Sequence, residues 1–211
     1  MSEIKIAVVY QSGGGHTRVL AEAVVRGAKS VPDTAVELIE ITGKDVHEGR
    51  WKNDAVLATL ASVDAIAFGC TTYMGSVSAI YKAFLETSFG PWVQQAWKDK
   101  FAAGFTNSAS QNGDKLSSLI QLSIFAMQMG MIWVGVGDGP GNNWTGGSVN
   151  DVNRMGSWLG AMGQSNGDQG PDLAPSEGDR KTAERLGERL ANITGKYHGK
   201  SGYVVERQKL M

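Results

Sequence analysis

The feature that most constrains this chain is an alternation. Short apolar runs rich in Val, Ile and Ala are followed, five times over, by segments with helical spacing. Ile4 to Tyr10 reads as a buried strand, and His16 to Ala28 follows with Val19, Leu20, Ala23, Val24 and Gly27 on one side of a helix. Val36 to Ile41 is a second strand, and Asn53 is placed to cap a short helix through Ala61. Ala65 to Gly69 leads to a helix over Val77 to Thr87, and Phe101 to Phe105 leads to a long apolar helix over Lys115 to Met129. Met131 to Val136 is the fifth strand, and Asp179 to Ile193 is a charged amphipathic helix. Such a series favours a parallel sheet covered on both faces. Right-handed crossovers leave few topologies. A doubly wound α/β domain with five parallel strands in the order 2-1-3-4-5 suits a length of 211 residues best.

Two segments stand outside this pattern. Gly137 to Ala174 is rich in Gly, Asn, Ser and Trp and has almost no helical or strand period, so it reads as a long insertion after the fifth strand. A stretch of that length inside a compact domain is functional or an interface. Gly195 to Met211 is a polar tail, a terminus that frays unless tied down.

Composition narrows the function classes. The formal net charge of -1 offers no polybasic surface for nucleic acid or membrane. No apolar run approaches the roughly 20 residues of a membrane span. The N-terminus enters a strand directly, without the basic and apolar regions of a signal peptide, so a cytoplasmic protein is expected. A single cysteine, Cys70, excludes an intrachain disulfide framework and a Cys-rich metal site.

In an open α/β sheet ligands bind beyond the carboxyl ends of the strands, near the switch point. Three loops fall there. The first is Ser12-Gly13-Gly14-Gly15-His16-Thr17. Its glycines let the backbone approach an anion, the following helix N-terminus offers N–H groups, and two hydroxyls add donors. This is a phosphate site. It is not a Walker loop, since no Gly-Lys-Ser/Thr follows, nor the dinucleotide fingerprint, since Arg18 stands where the third Gly would be. The second loop is Thr71-Thr72-Tyr73-Met74-Gly75-Ser76, suited to offering backbone N–H groups to a flat polar ring. The third is Thr106-Asn107-Ser108-Ala109-Ser110-Gln111-Asn112-Gly113, small and polar enough to pass close beside a ring edge or sugar chain. Each alone is also what a plain connecting turn looks like. Together they are far more specific.

These loops resemble those of the flavodoxin-like NAD(P)H:quinone oxidoreductases, in the tryptophan-repressor-binding-protein (WrbA) branch. Tyr10-Gln11-Ser12 with His16-Thr17 is similar to the phosphate loop of that family, Thr71 to Ser76 to its flavin-ring loop, and Phe101 to Gly113 to its third loop. Phe89-Gly90-Pro91-Trp92, Met127-Gln128-Met129-Gly130-Met131, Met155 to Ala161 and the helix after Pro175 extend the resemblance over about Lys5 to Ile193. It implies a flavodoxin-like fold and FMN as cofactor. Phosphate would be held by Ser12, Gly13, Gly14, Gly15, His16 and Thr17. Ring contacts would come from Thr71, Thr72, Tyr73, Met74 and Gly75 and from Asn107, Ser108, Ala109, Ser110, Gln111 and Asn112. Trp92 and Met129 would face the substrate. It further implies NAD(P)H and a quinone-like acceptor as partners, and a homodimer or homotetramer whose pockets are completed by neighbours. There is one departure. The family usually has a His before the Gly-Met pair, and this chain has Met129. An imidazole able to hydrogen-bond a quinone oxygen is therefore missing.

The remaining candidates read as structural. His16, His47 and His198 share no metal spacing. Cys70 reads as a buried small residue rather than a redox thiol. No Gly-x-Ser-x-Gly elbow surrounds Ser12 or Ser76. Trp133 reads as core, and Trp144 and Trp158 as interface or pocket lining. Three functions remain open: an FMN-dependent reductase passing two electrons from NAD(P)H to a quinone or similar acceptor, a flavodoxin-type electron carrier, and a non-catalytic FMN-binding regulatory protein.

Overall fold

The chain's first strand is buried on both faces, and that fact organises the molecule. The structure, a computed structural model, describes residues 3–198. In chain order the elements are β1 (Ile4–Tyr10), α1 (His16–Lys29), β2 (Thr34–Glu40), the two-residue strands β3 (Val46–His47) and β4 (Arg50–Trp51), α2 (Asp54–Ser62), β5 (Ala65–Tyr73), β6 (Ser76–Val77), α3 (Ala79–Thr87), α4 (Phe89–Val93), β7 (Phe101–Ser108), α5 (Lys115–Gln128), β8 (Ile132–Trp133), β9 (Ala161–Gln164) and α6 (Glu177–His198). The main sheet runs β2-β1-β5-β7-β8, all parallel, which is the expected 2-1-3-4-5 order.

Along β1 the side chains alternate between two cores, as the period of two requires. Ile4, Ile6, Val8 and Tyr10 pack with Leu20, Val24, Leu186 and Leu190 of α1 and α6. Ala7 and Val9 pack on the other face with Phe84, Leu119, Leu122 and Ala126 of α3 and α5. On β5, Ala65 and Ala67 share the first core while Ile66, Phe68 and Cys70 share the second. Helices α1 and α6 cross almost backbone to backbone. A Cβ on Gly27 would lie 1.7 Å from the Glu184 carbonyl, and one on Gly187 would lie 2.0 Å from that of Val24.

The sequence boundaries shift in informative places. Strands β5 and β7 run on to Tyr73 and Ser108, so the residues expected to open the second and third loops are strand residues. Asn53 caps α2 by accepting from the Val56 N–H, as expected. The expected fifth strand, Met131 to Val136, is corrected to the two residues of β8. The sheet is then continued by β9, inside the segment expected to have no strand. Ile132 and Trp133 pair with Phe101 and Ala102, and Ala161 to Gln164 pair with Phe105 to Ser108. The fifth strand is thus split and the insertion leaves and rejoins it. Ala-Met-Gly-Gln hides its periodicity because its two buried positions carry only Ala161 and Gly163. Of the expected tail from Gly195, residues to His198 continue α6, and 199–211 lie outside the described residues.

Candidate functional site

The three loops meet at the carboxyl ends of β1, β5 and β7 and enclose a cavity of about 510 Å³. The first loop leaves β1 after the Gln11 N–H has continued the ladder to the Gly69 carbonyl. Gly15 precedes α1 with φ +87°, a left-handed conformation that favours glycine, and no side chain caps the helix. The first-turn N–H groups therefore have no side-chain acceptor, and they carry the positive end of the helix dipole. Two further polar atoms nearby, Ser12 Oγ and Gln11 Oε1, are buried without a partner. Buried hydroxyls almost always have one.

The second loop is a hairpin turn. Met74 and Gly75 both have positive φ, +48° and +71°, which closes β5 onto β6. That geometry turns Met74 wholly out to solvent at the cavity rim and leaves Tyr73 49% exposed. The Tyr73 hydroxyl lies over the first loop, 2.1 Å from where a Cβ on Gly13 would stand, so only glycine leaves it this room. Beneath the rim the loops are tied by hydroxyls. Thr17 and Thr71 are 2.9 Å apart, and the Thr72 hydroxyl lies 2.7 Å from those of both Thr106 and Ser118. Thr106 in turn donates to the Cys70 carbonyl. Burial pushes the Cys70 thiol up to about 12, which fits the expected inert role.

The third loop is wrapped around Lys115, the first residue of α5. This side chain is fully buried, and its Nζ donates to Ser108 Oγ (2.9 Å), the Ser110 carbonyl (2.9 Å) and the Gln111 carbonyl (2.7 Å). Desolvation lowers its pKa to about 8, with Asp179 opposing that shift and Arg154 adding to it. Sequence reasoning did not single out Lys115. The available signal is a cation in the first turn of a helix, where the dipole disfavours it.

A fourth wall comes from the insertion. Ser165 and Gly167 line the cavity. The Ser165 N–H donates to the Ser108 carbonyl, Gln164 Nε2 to that of Ala109, and His16 Nε2 to that of Gln169. Pro171 packs over Gly15. The base of this wall is a buried ion pair: Arg154 donates to Asp179 at 2.7 and 2.8 Å, and Asp179 also accepts from the Gln164 N–H. Nothing in the local sequence of 161–171 marks it as pocket-forming. Only the return of the chain to the sheet as β9 places it there.

The cavity brings together Gly14, His16, Thr17, Thr71 to Gly75 and Asn107 to Ser110 of the sequence candidates, and adds Gly113 and Asp114. Ser12 lies beneath its wall, Gly13 lies under the Tyr73 hydroxyl, and Gly15 lies behind Pro171. Gln111 serves Lys115, and Asn112 accepts from the Asp114 N–H. Trp92 and Met129 are not brought to this cavity. They line a separate groove of about 560 Å³ with Leu85, Phe89, Ile124 and Phe125. The reason is geometric. Helix α4 precedes β7, and the C-terminus of α5 precedes β8, so both residues sit at the strands' amino ends, opposite the three loops. The expected interface tryptophans Trp144 and Trp158 are exposed, and Trp133 is half-buried, with its Nε1 donating to the Leu159 carbonyl.

The chain is similar to known proteins in sequence and fold. Residues 4–144 match the family model described as NADPH-dependent FMN reductase. A Pseudomonas aeruginosa protein named Flavodoxin FldP is 38% identical over 195 residues, covering 92% of this chain and 98% of its own length. A Geobacter sulfurreducens protein named NAD(P)H dehydrogenase (quinone) is 32% identical over 209 residues, covering 93% and 100%. The crystal structure of a flavodoxin, WrbA-like protein from Agrobacterium tumefaciens superposes with a TM-score of 0.69 at 36% identity, over 92% of this chain and 99% of that one.

Proposed function

The chain belongs to the NADPH-dependent FMN reductase family, and from that premise we propose that it binds FMN in the three-loop cavity and passes two electrons from NAD(P)H to a quinone or similar acceptor. The observation that carries this reading is the unpartnered Ser12 Oγ beside the uncapped N-terminus of α1, at the edge of a cavity of about 510 Å³. A buried hydroxyl without an acceptor and a set of free N–H groups fit a phosphate. The cavity has the size of a small-molecule site. The 71–75 hairpin and the 107–112 loop would flank the ring, and the Ser165 and Gly167 wall would close the remaining side.

When bound, FMN supplies hydride acceptance and electron release. The protein's part is to bind, orient and exclude water. The Thr17–Thr71 and Thr72–Thr106–Ser118 contacts hold the loops in register before any ligand arrives, and such preorganisation lowers the cost of binding. The His16–Gln169 bond ties the phosphate loop to the fourth wall. No side chain is assigned as acid or base.

Of the two groove residues, Trp92 enters the same reading only if a second copy supplies it, while Met129 is buried, 4% exposed, and packs in the core. Helix α5 presents Leu116, Ile120, Ile124 and Met127 as an exposed apolar stripe beside their groove, which supports a homodimer or homotetramer. Among the described residues no helix is long and apolar enough to cross a membrane. The relative named a flavodoxin, at 38% identity, supports a second reading as an electron carrier.

Anaerobic stopped-flow absorbance separates the two. FMN-loaded protein is mixed with NADPH or NADH and then with benzoquinone. Rapid bleaching followed by reoxidation is the expected result. Bound flavin that neither nicotinamide reduces leaves the carrier, and a protein that does not take up FMN overturns the cavity assignment.

A further inference from the structure

Lys115 is the only fully buried lysine among the described residues. An ammonium has three donors, and here all three are used on one short loop, by Ser108 Oγ and the carbonyls of Ser110 and Gln111. None of these partners is a carboxylate. Two charges act on the side chain from other elements, Asp179 of α6 and Arg154 of the insertion. They are paired with each other at 2.7 Å, so neither neutralises it. Asp114 is its chain neighbour and is exposed.

A tie for the loop alone would need no charge. A neutral amide, with two donors, would serve two of these oxygens without the desolvation of a buried cation and without opposing the dipole of α5. An unpaired cation that is buried and fully hydrogen-bonded is suited to negative charge arriving from the cavity side. Two of the residues it holds, Ser108 and Ser110, line that cavity.

We propose that Lys115 is a positioning residue that shapes the 108–111 loop and keeps a positive charge behind the cavity wall, so that the site binds electron-rich, reduced flavin more tightly than oxidised flavin. This rests on the FMN reading above. It also carries a pH signature. The amine titrates near pH 8, and negative charge gained on reduction favours its protonated form. Between that pH and the higher value the amine takes beside reduced flavin, reduction of the loaded protein draws in a further fraction of a proton, about half at most for a tenfold coupling.

The test uses the full chain loaded with FMN. The affinity for oxidised FMN is measured by fluorescence titration and the two-electron midpoint potential by dye equilibration, for wild type, K115M, K115Q and K115R. In K115M the binding of oxidised FMN weakens about tenfold. Reduced FMN loses about tenfold more, which for two electrons lowers the potential by about 30 mV. K115Q restores part of the affinity but not the potential, and K115R restores the potential. In wild type the plot of potential against pH steepens for about one unit above pH 8 and then relaxes, and in K115M that bend is gone. The flavin's own ionisations are common to both proteins and cancel in the comparison. A K115M protein with a lower melting temperature, but with unchanged potential and the same bend, overturns the proposal and makes Lys115 a structural pin. If K115M does not fold, the wild-type bend decides alone, and its absence overturns the proposal. Wild-type protein that fails to bind FMN removes the functional reading itself, and is seen before any variant is made.

Discussion

Among the described residues, two concavities of similar size differ in construction. The three-loop cavity is lined mostly by glycines and by hydroxyl and amide side chains, and bonds between elements 34 to 54 residues apart in sequence brace it from beneath. The groove at the other end of the sheet has a wall of Trp92, Phe89, Phe125, Ile124 and Met129, with Phe89 and Trp92 ring against ring, and a rim that includes Lys82, Glu86 and Gln121. This second concavity has an apolar wall continuous with the exposed stripe on α5. A resemblance in sequence joins residues of both into one site, yet in space they stand at opposite ends of the strands. The difference teaches that residues joined by a resemblance in sequence need not share one concavity in the fold.

The largest expected effect tests whether the polar cavity is truly self-contained. Asp179→Asn leaves Arg154 a buried cation without its partner, the two side chains being 1% and 9% exposed. Breaking such a pair costs about 3–5 kcal/mol. Urea denaturation should show this loss, and FMN affinity should fall with it, because Gln164 and Ser165 hang from the same base. A variant that loses stability but binds FMN as wild type would mean the fourth wall is not part of the pocket. A smaller effect is expected for Thr17→Val. It removes the hydroxyl link between the first two loops, a buried hydrogen bond worth about 1 kcal/mol, and should weaken FMN about fivefold in fluorescence titration. On the groove side, Ile124→Glu should leave FMN affinity and melting temperature almost unchanged, since this side chain is 58% exposed in the single chain. Its effect should appear instead in light scattering, as a fall in mass to that of one chain. An unchanged mass would break the link between groove and assembly. The smallest effect is none at all. With Cys70 pushed up to about 12, only ~10⁻⁴ of the thiol is ionised at pH 8, and the native protein should not react with a thiol-specific chromogenic disulfide until it is unfolded.

Much of this was legible in the residues. The strand order followed from apolar runs such as Ile4 to Tyr10, whose near-continuous burial is the signature of a sheet covered twice. The polar loops were legible because glycines and hydroxyls mark a backbone meant to be approached. What was not legible shares one cause. β9 announces itself neither by bulk nor by alternation, because Ala161 and Gly163 fill a space too tight for larger side chains; a Cβ on Gly163 would lie 2.7 Å from the Asn107 side chain. Lys115 looks like an ordinary polar residue opening a helix until the fold folds a loop over it. Trp92 carries the expected side chain and Met129 departs from it, and only the direction of the crossover helices reveals that both lie away from the loops. Pattern encodes which elements form. Burial of a lone charge, and which end of a helix lies near which end of a strand, are properties of the assembled sheet.

The split fifth strand has a consequence for how this fold can change length. Trp133 stands beside Ala102 and Ala161 beside Phe105, so the chain departs and re-enters along one line, with Gly160 lying against Gly104 in the gap between them. The excursion is a siding rather than a bridge. Its two ends are held close by the sheet, and the cost of closing such a loop grows only slowly with its length. Residues can be spliced into or out of its outer part, around Gly139 to Gly147, without altering the register of any strand. The chain therefore carries a place where new surface can be grown while the three polar loops stay where they are.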